Sequence, residues 1–281
     1  FYALDNDCVI SVAVSDTPSG RFEFIGNVHY EDGTPLGKKE GDEQQFDPGV
    51  LTIGDTTYMF TGFCGQGDKS RHGCMLTVLD KDMLTVKRAP EFVIPSTQYS
   101  EGTEYEGHAF FEAPSIRKIG DTYYFIYSSI NGHELCYATS QYPNRDFVYG
   151  GTIVSNGDVG YHGRKEKDRL NTTGTNHGSI ENINGQWYIF YHRMTNDTIT
   201  SRRACVERIE ILPDGTIPQV EMTSLGFETS LNPYKITNAD IACVLKGGAF
   251  VTEHDCFTRV ITSIKTGTVI GYKYFDFGED F

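Results

Sequence analysis

The 281-residue sequence predicts an all-β chain, with a partial β-propeller over residues 1–230 and the beginning of a β-sandwich over 231–281. Three observations carry this. A hairpin pattern recurs three times at a nearly constant period. Each copy is followed by a second pair of strand-like segments, and no stretch shows helical periodicity of any length.

Residues 9–15 and 22–28 read as the outer strand pair of an early repeat. The first hairpin runs from 46–53 into 54–60, the second from 112–119 into 120–127, and the third from 176–183 into 184–191. Each joins a short strand to an aromatic-rich one through a two-residue turn, Gly54-Asp55, Gly120-Asp121 or Asn184-Gly185. Ile53, Ile119 and Ile183 anchor the register, so the period is 66 and then 64 residues. Outer pairs follow at 72–79 with 86–94, 134–139 with 147–154, and 203–212 with 217–223. Four antiparallel strands at fixed period mark a propeller blade, which cannot bury its faces without stacked neighbours. About three and a half such units fit in residues 1–230. The first blade and part of the second are therefore expected upstream of a chain cut at both ends. After Asn232-Pro233-Tyr234 short alternating strands with Gly-rich turns replace the pattern, as at the start of a sandwich.

Composition narrows the partners. With 24 Lys+Arg against 38 Asp+Glu the formal charge is −14, which excludes nucleic acid and anionic membrane surfaces. No apolar run approaches the roughly 18 residues of a membrane span. An acidic, aromatic, turn-rich chain suits neutral ligands such as sugars. The seven scattered cysteines lack metal-ligand spacing and read as small buried hydrophobes.

In a propeller the first strand of each blade lines the channel. The repeats put Asp47 and Glu112 one and two positions ahead of Pro48 and Pro114, with His177 at the place equivalent to Asp47. Two converging carboxylates give what acid-assisted cleavage of a glycosidic bond needs, because like-charge proximity keeps one of them protonated. Phe46 and Phe111 beside the acids offer either a sugar-stacking wall or core, and His108 lies where a channel-mouth loop should be. His192 reads as a hydrogen-bonded core or rim histidine, Trp187 as core, and the mixed-sign run 163–169 as a solvated loop.

Phe46-Asp47-Pro48, Glu112-Ala113-Pro114, Asn176-His177-Gly178, the segment from Trp187 to His192 and Ser201-Arg202 together resemble glycoside hydrolase family 43. The resemblance implies a five-bladed propeller and an inverting hydrolase of arabinose- and xylose-containing polysaccharide, of α-L-arabinofuranosidase or β-xylosidase type. It makes Glu112 the general acid and Asp47 the residue that modulates its pKa. His177 and Arg202 become substrate-binding, with His177 near a bound water or Ca²⁺ and no cofactor required. It places the catalytic base in the first blade; Asp5, Asp7 and Asp16 are poor substitutes. The tail resembles the start of a family-6-type carbohydrate-binding module. A non-catalytic or degenerate carbohydrate-binding propeller is the alternative reading. A binding module favours an extracellular protein, while the odd cysteine count suits a reducing interior, and the sequence leaves location open.

Overall fold

The computed structural model describes residues 1–4, 7–196, 198 and 201–278, so Asp5 lies outside the described residues. The chain is all-β. The first sheet is β1 (Tyr2–Ala3), β2 (Ile10–Val14) and β3 (Glu23–Asn27) in that order. The second is β4 (Gly49–Ile53), β5 (Thr56–Thr61), β6 (Gly73–Leu79) and β7 (Val86–Pro95), a four-stranded meander. The third, also four-stranded, is β8 (Phe110–Ile119), β9 (Thr122–Ser129), β10 (Glu134–Ser140) and β11 (Val148–Ser155). The fourth is β12 (Gly178–Ile183), β13 (Gln186–Met194) and β14 (Arg202–Ile209). Beyond it β15 (Val244–Lys246) pairs with β18 (Val269–Gly271), and β16 (Phe250–Glu253) pairs with β17 (Arg259–Thr262). The only helical elements among the described residues are single 3₁₀ turns, and none is long or apolar enough to cross a membrane.

The turns form where the repeats place them. Gly54 and Gly120 adopt φ of 57° and 60°, and Asn184 and Gly185 adopt 52° and 90°. These left-handed values match the right-handed twist of the flanking strands and are open to Gly and Asn at little cost.

Two compact units are distinguished. The first holds residues 1–131 and 137–150; the second holds 132–136 and continues from Gly151. In the first unit Ile10, Val12, Val28, Leu36, Met59, Leu79 and Val86 form one buried cluster. Phe60 of β5 meets Phe125 of β9 edge-on at 5.2 Å, and both reach Phe147. Successive sheets thus bury their middle strands against each other through aromatic rings, which supply large apolar area at each contact.

In the second unit the expected strand 217–223 does not form. Pro218 lacks an N–H, and the following donors go to carboxylates: Met222 N donates to Asp158 Oδ1 at 2.7 Å and Thr223 N to Glu207 Oε1 at 2.7 Å. Only an isolated parallel bridge, Val154 to Val220, remains. This leaves β14 as the outermost strand of a three-stranded sheet. The tail packs within the same unit: Leu245 N donates to Leu170 O at 3.0 Å, and Ala242, Leu245, Ala249 and Val251 are buried together.

Glu207 is 4% exposed and accepts from Thr223 and from Tyr191 Oη. Burial raises its pKa from 4.5 to about 7, against the opposing hydrogen bonds of Thr223 and Tyr191 and with help from the Asp158 charge. The fold therefore favours the protonated form. That contribution is full below pH 4.5 and is lost as pH rises through 7. Denaturant unfolding is expected to show the contribution of this group falling by up to about 3 kcal/mol across that window. Glu207→Gln should flatten the slope; an unchanged slope would assign it to other groups.

Candidate active site

Asp47 and Glu112 both belong to the first unit, Asp47 two residues ahead of β4 and Glu112 near the head of β8. Phe63 bridges the residues that precede them: its ring lies 5.6 Å from Phe46 and 5.1 Å from Phe111. The backbone repeats this link. Gly62 N donates to Phe46 O at 3.0 Å and Cys64 N to Phe111 O at 2.8 Å. Gly49 is pressed so closely on β8 that a Cβ would come within 2.2 Å of Pro114 O. The inner strands of successive sheets touch at this point, and along the chain each acid falls between two of the touching residues.

Local backbone turns both acids out of the strand register. Asp47 has φ of 45° and Ala113 of 62°, and each precedes a proline, where such conformations are further disfavoured. The β8–β9 ladder shifts register between Glu112 and Ser115, so Glu112 sits on a bulge. Strain of this kind persists only where the surroundings enforce it, and it gathers at functional sites. Both acid residues are half-buried here. Buried Gln45, accepting from Thr61 Oγ1 at 2.6 Å, fixes the approach to Phe46 and Asp47.

Phe46 and Phe111 are half-buried, each packed on Phe63. Phe63 was not singled out in the sequence; its place just past the end of β5, level with Phe46, is the signal that finds it. His108 stacks on Tyr149 with centroids 5.1 Å apart and planes 18° from parallel, and its carbonyl accepts from Tyr127 Oη at 2.7 Å.

The other candidates belong to the second unit. His177 and Arg202 are both exposed, and both act electrostatically on His192. Desolvation, then Arg202, then His177 lower the His192 pKa to about 4. Neither His192 ring nitrogen has a hydrogen-bond partner, which corrects the expectation of a hydrogen-bonded histidine. A neutral, half-buried imidazole next to a guanidinium and a second imidazole is equipped to meet hydroxyl groups. Trp187, expected in the core, is half-buried.

Close backbone packing at Gly49 yields a prediction. Gly49→Ala must push β4 off β8, since the contact is with backbone. A loss of about 2–3 kcal/mol in stability is expected, in the range of overpacked cores. Thermal unfolding measures it, and a shift below 2 °C would contradict the contact.

The successive antiparallel sheets, joined at their inner strands, define a β-propeller. The chain belongs to family 43 of the glycosyl hydrolases, whose family model matches residues 1–217. It is 51% identical to a xylosidase/arabinosidase of Thermoclostridium stercorarium over 98% of this chain and 63% of that protein. The chain thus spans less than two thirds of that relative. Among solved structures, a β-xylosidase/α-arabinofuranosidase from a compost metagenome, bound to xylotriose in a calcium-free form, is 25% identical. It superposes with a TM-score of 0.56 over 75% of this chain and 64% of its own. An arabinoxylan arabinofuranohydrolase of Bacillus subtilis, bound to cellotetraose, shares the fold at 22% identity. Its TM-score is 0.57 over 95% of this chain and 56% of its own.

Proposed function

We propose that this chain carries acid machinery of an inverting glycoside hydrolase acting on arabinose- or xylose-containing polysaccharide, of α-L-arabinofuranosidase or β-xylosidase type. The observation that carries the reading is the contact of β4 with β8 at Gly49 and Pro114, just past Asp47 and Glu112, with left-handed backbone at Asp47 and Ala113, each ahead of a proline. Family membership and the 51% identical xylosidase/arabinosidase support it.

In this reading Glu112 donates its proton to the glycosidic oxygen as the bond breaks. Asp47 beside it disfavours early loss of that proton and orients the carboxyl. Phe46, Phe63 and Phe111 offer apolar ring faces to the C–H face of a sugar. His108, His177 and Arg202 bind sugar hydroxyls. Inversion also requires a carboxylate base about 6.5–9.5 Å from the acid, and no residue of this chain is assigned to it. Residues 1–230 form the propeller part. Residues 231–281 open a carbohydrate-binding module, a reading supported by the two antiparallel pairs β15–β18 and β16–β17.

Calcium takes six to eight oxygen ligands. His177 and Arg202 both act electrostatically on His192, and an imidazole or a guanidinium supplies none of these oxygens. His177 is assigned to a sugar hydroxyl beside a bound water or Ca²⁺, and no step passes through a metal.

The test is hydrolysis of aryl α-L-arabinofuranoside and aryl β-xyloside by the whole protein, with the anomer of the released sugar followed by NMR. Release of the inverted sugar is expected. Retention would overturn the mechanism, and sugar binding without turnover would establish a binding propeller instead.

A further inference from the structure

A second, unassigned cavity lies within the second unit, along the outer edge of β14. It encloses about 700 Å³ between that strand, the 223–227 segment and the tail. Apart from Arg202 at its rim it contains none of the candidate site residues. Its chemistry is unusual in three respects.

Arg193 lines it while only 4% exposed. One of its nitrogens, Nη2, donates to the Asp240 carbonyl at 3.2 Å, but Nε and Nη1 have no partner. Arg203 also lines it; its Nη2 reaches Val251 O at 3.4 Å, its Nη1 donates to Arg202 O at 3.0 Å and lies 3.9 Å from a Glu253 carboxylate oxygen, and its buried Nε is unpartnered. Leaving guanidinium N–H groups dry and unpaired is costly, and the group that satisfies them best is a carboxylate. Glu207, on the same wall, is already committed to Tyr191 and Thr223.

The second feature is an acceptor. Asp240 lines the cavity and its buried Oδ1 has no donor. An inorganic anion would be repelled by it, whereas a hydroxyl would satisfy it. The third is apolar: the rings of Phe190 and Phe227, 6.0 Å apart, form part of the lining. Such rings suit the C–H face of a pyranose.

We infer that this cavity binds a sugar acid, a uronic acid whose carboxylate meets Arg193 and Arg203 and whose hydroxyls meet Asp240. The saccharide half of this assignment rests on the function proposed above; the carboxylate half rests on the two guanidinium groups. A neutral pentose leaves the arginines unpaired, and a bare anion leaves Asp240 and the rings unmet.

Isothermal titration of the whole chain with D-glucuronate, D-xylose, propionate and phosphate tests it. D-glucuronate is expected to bind one to one in the millimolar range or tighter, more tightly than D-xylose and unaffected by Glu112→Gln. Arg203→Gln, at a half-buried position, should weaken binding about tenfold, the loss of one charge-assisted hydrogen bond. Arg193→Met should weaken it further, with circular dichroism reporting whether that variant folds; Arg203→Gln carries the test if it does not. Propionate or phosphate binding as tightly as D-glucuronate would reduce the cavity to a plain anion site. Absence of D-glucuronate binding, or undiminished binding in Arg203→Gln, would overturn the assignment outright.

Discussion

Glu112→Gln is expected to lower kcat on substrates with a sugar leaving group about 10³-fold, within the range that positioned acid catalysis supplies. A sugar alkoxide is a poor leaving group and needs the proton that glutamine cannot give. An activated aryl leaving group departs as a stabilised phenolate, so its hydrolysis should fall far less. This difference separates loss of an acid from loss of the fold, which would depress both substrates alike. KM should stay within about threefold, because the amide keeps the shape of the carboxyl and ground-state binding is little changed. Thermal unfolding of the variant should match the parent, since Glu112 is half-buried on a bulge and not part of a packed core. Equal losses on both substrate types, or no loss on either, would remove Glu112 from the acid's role.

How much of this was legible in the sequence depends on how local the cause is. The three hairpins were readable because their turns are set by two residues each, and the strand pairs meet where Ile53, Ile119 and Ile183 place them. The contact between β4 and β8 at Gly49 and Pro114 was readable in the same way, since Pro48 and Pro114 mark equivalent positions in successive repeats. What stayed hidden arises from contacts between distant residues. Nothing in an alanine announces a φ of 62°, yet Ala113 adopts it because the head of β8 is pinned between Cys64 and Gly49. Segment 217–223 looks like a strand, but Asp158 and Glu207, 64 and 16 residues before the amides they hold, capture its donors. The empty hydrogen-bonding capacity of His192, Arg193 and Asp240 is likewise a property of the folded surroundings and not of any motif.

Lys273→Met is expected to destabilise the second unit by about 3–5 kcal/mol, the cost of stripping one partner from a buried ion pair. The Lys273 ammonium donates to Asp158 Oδ2 at 2.7 Å and to Met222 O at 2.9 Å, and pairs with Glu221 Oε1 at 2.7 Å. Asp158 has a wholly buried side chain, whose other oxygen holds Met222 N. Glu221 also accepts from Tyr274 Oη. Methionine would fill the lysine's volume while leaving Asp158 charged with no cation. Burial pulls the Lys273 pKa down, but the bonds to Asp158 and Glu221 outweigh it and the net shift is upward. Its stabilisation is therefore complete throughout neutral pH and fades only in strong alkali. The same ammonium ties Lys273 of the tail to residues 115 and 52 positions earlier in the chain, so its loss should loosen the tail before the sheets. Scanning calorimetry should show a fall of about 10–15 °C, with hydrogen exchange rising first around residues 271–276. Combining Lys273→Met with Asp158→Asn should recover part of the loss, because the uncompensated charge goes with it. A single variant melting within 2 °C of the parent would show that water reaches Asp158, and that the pair adds little to the fold.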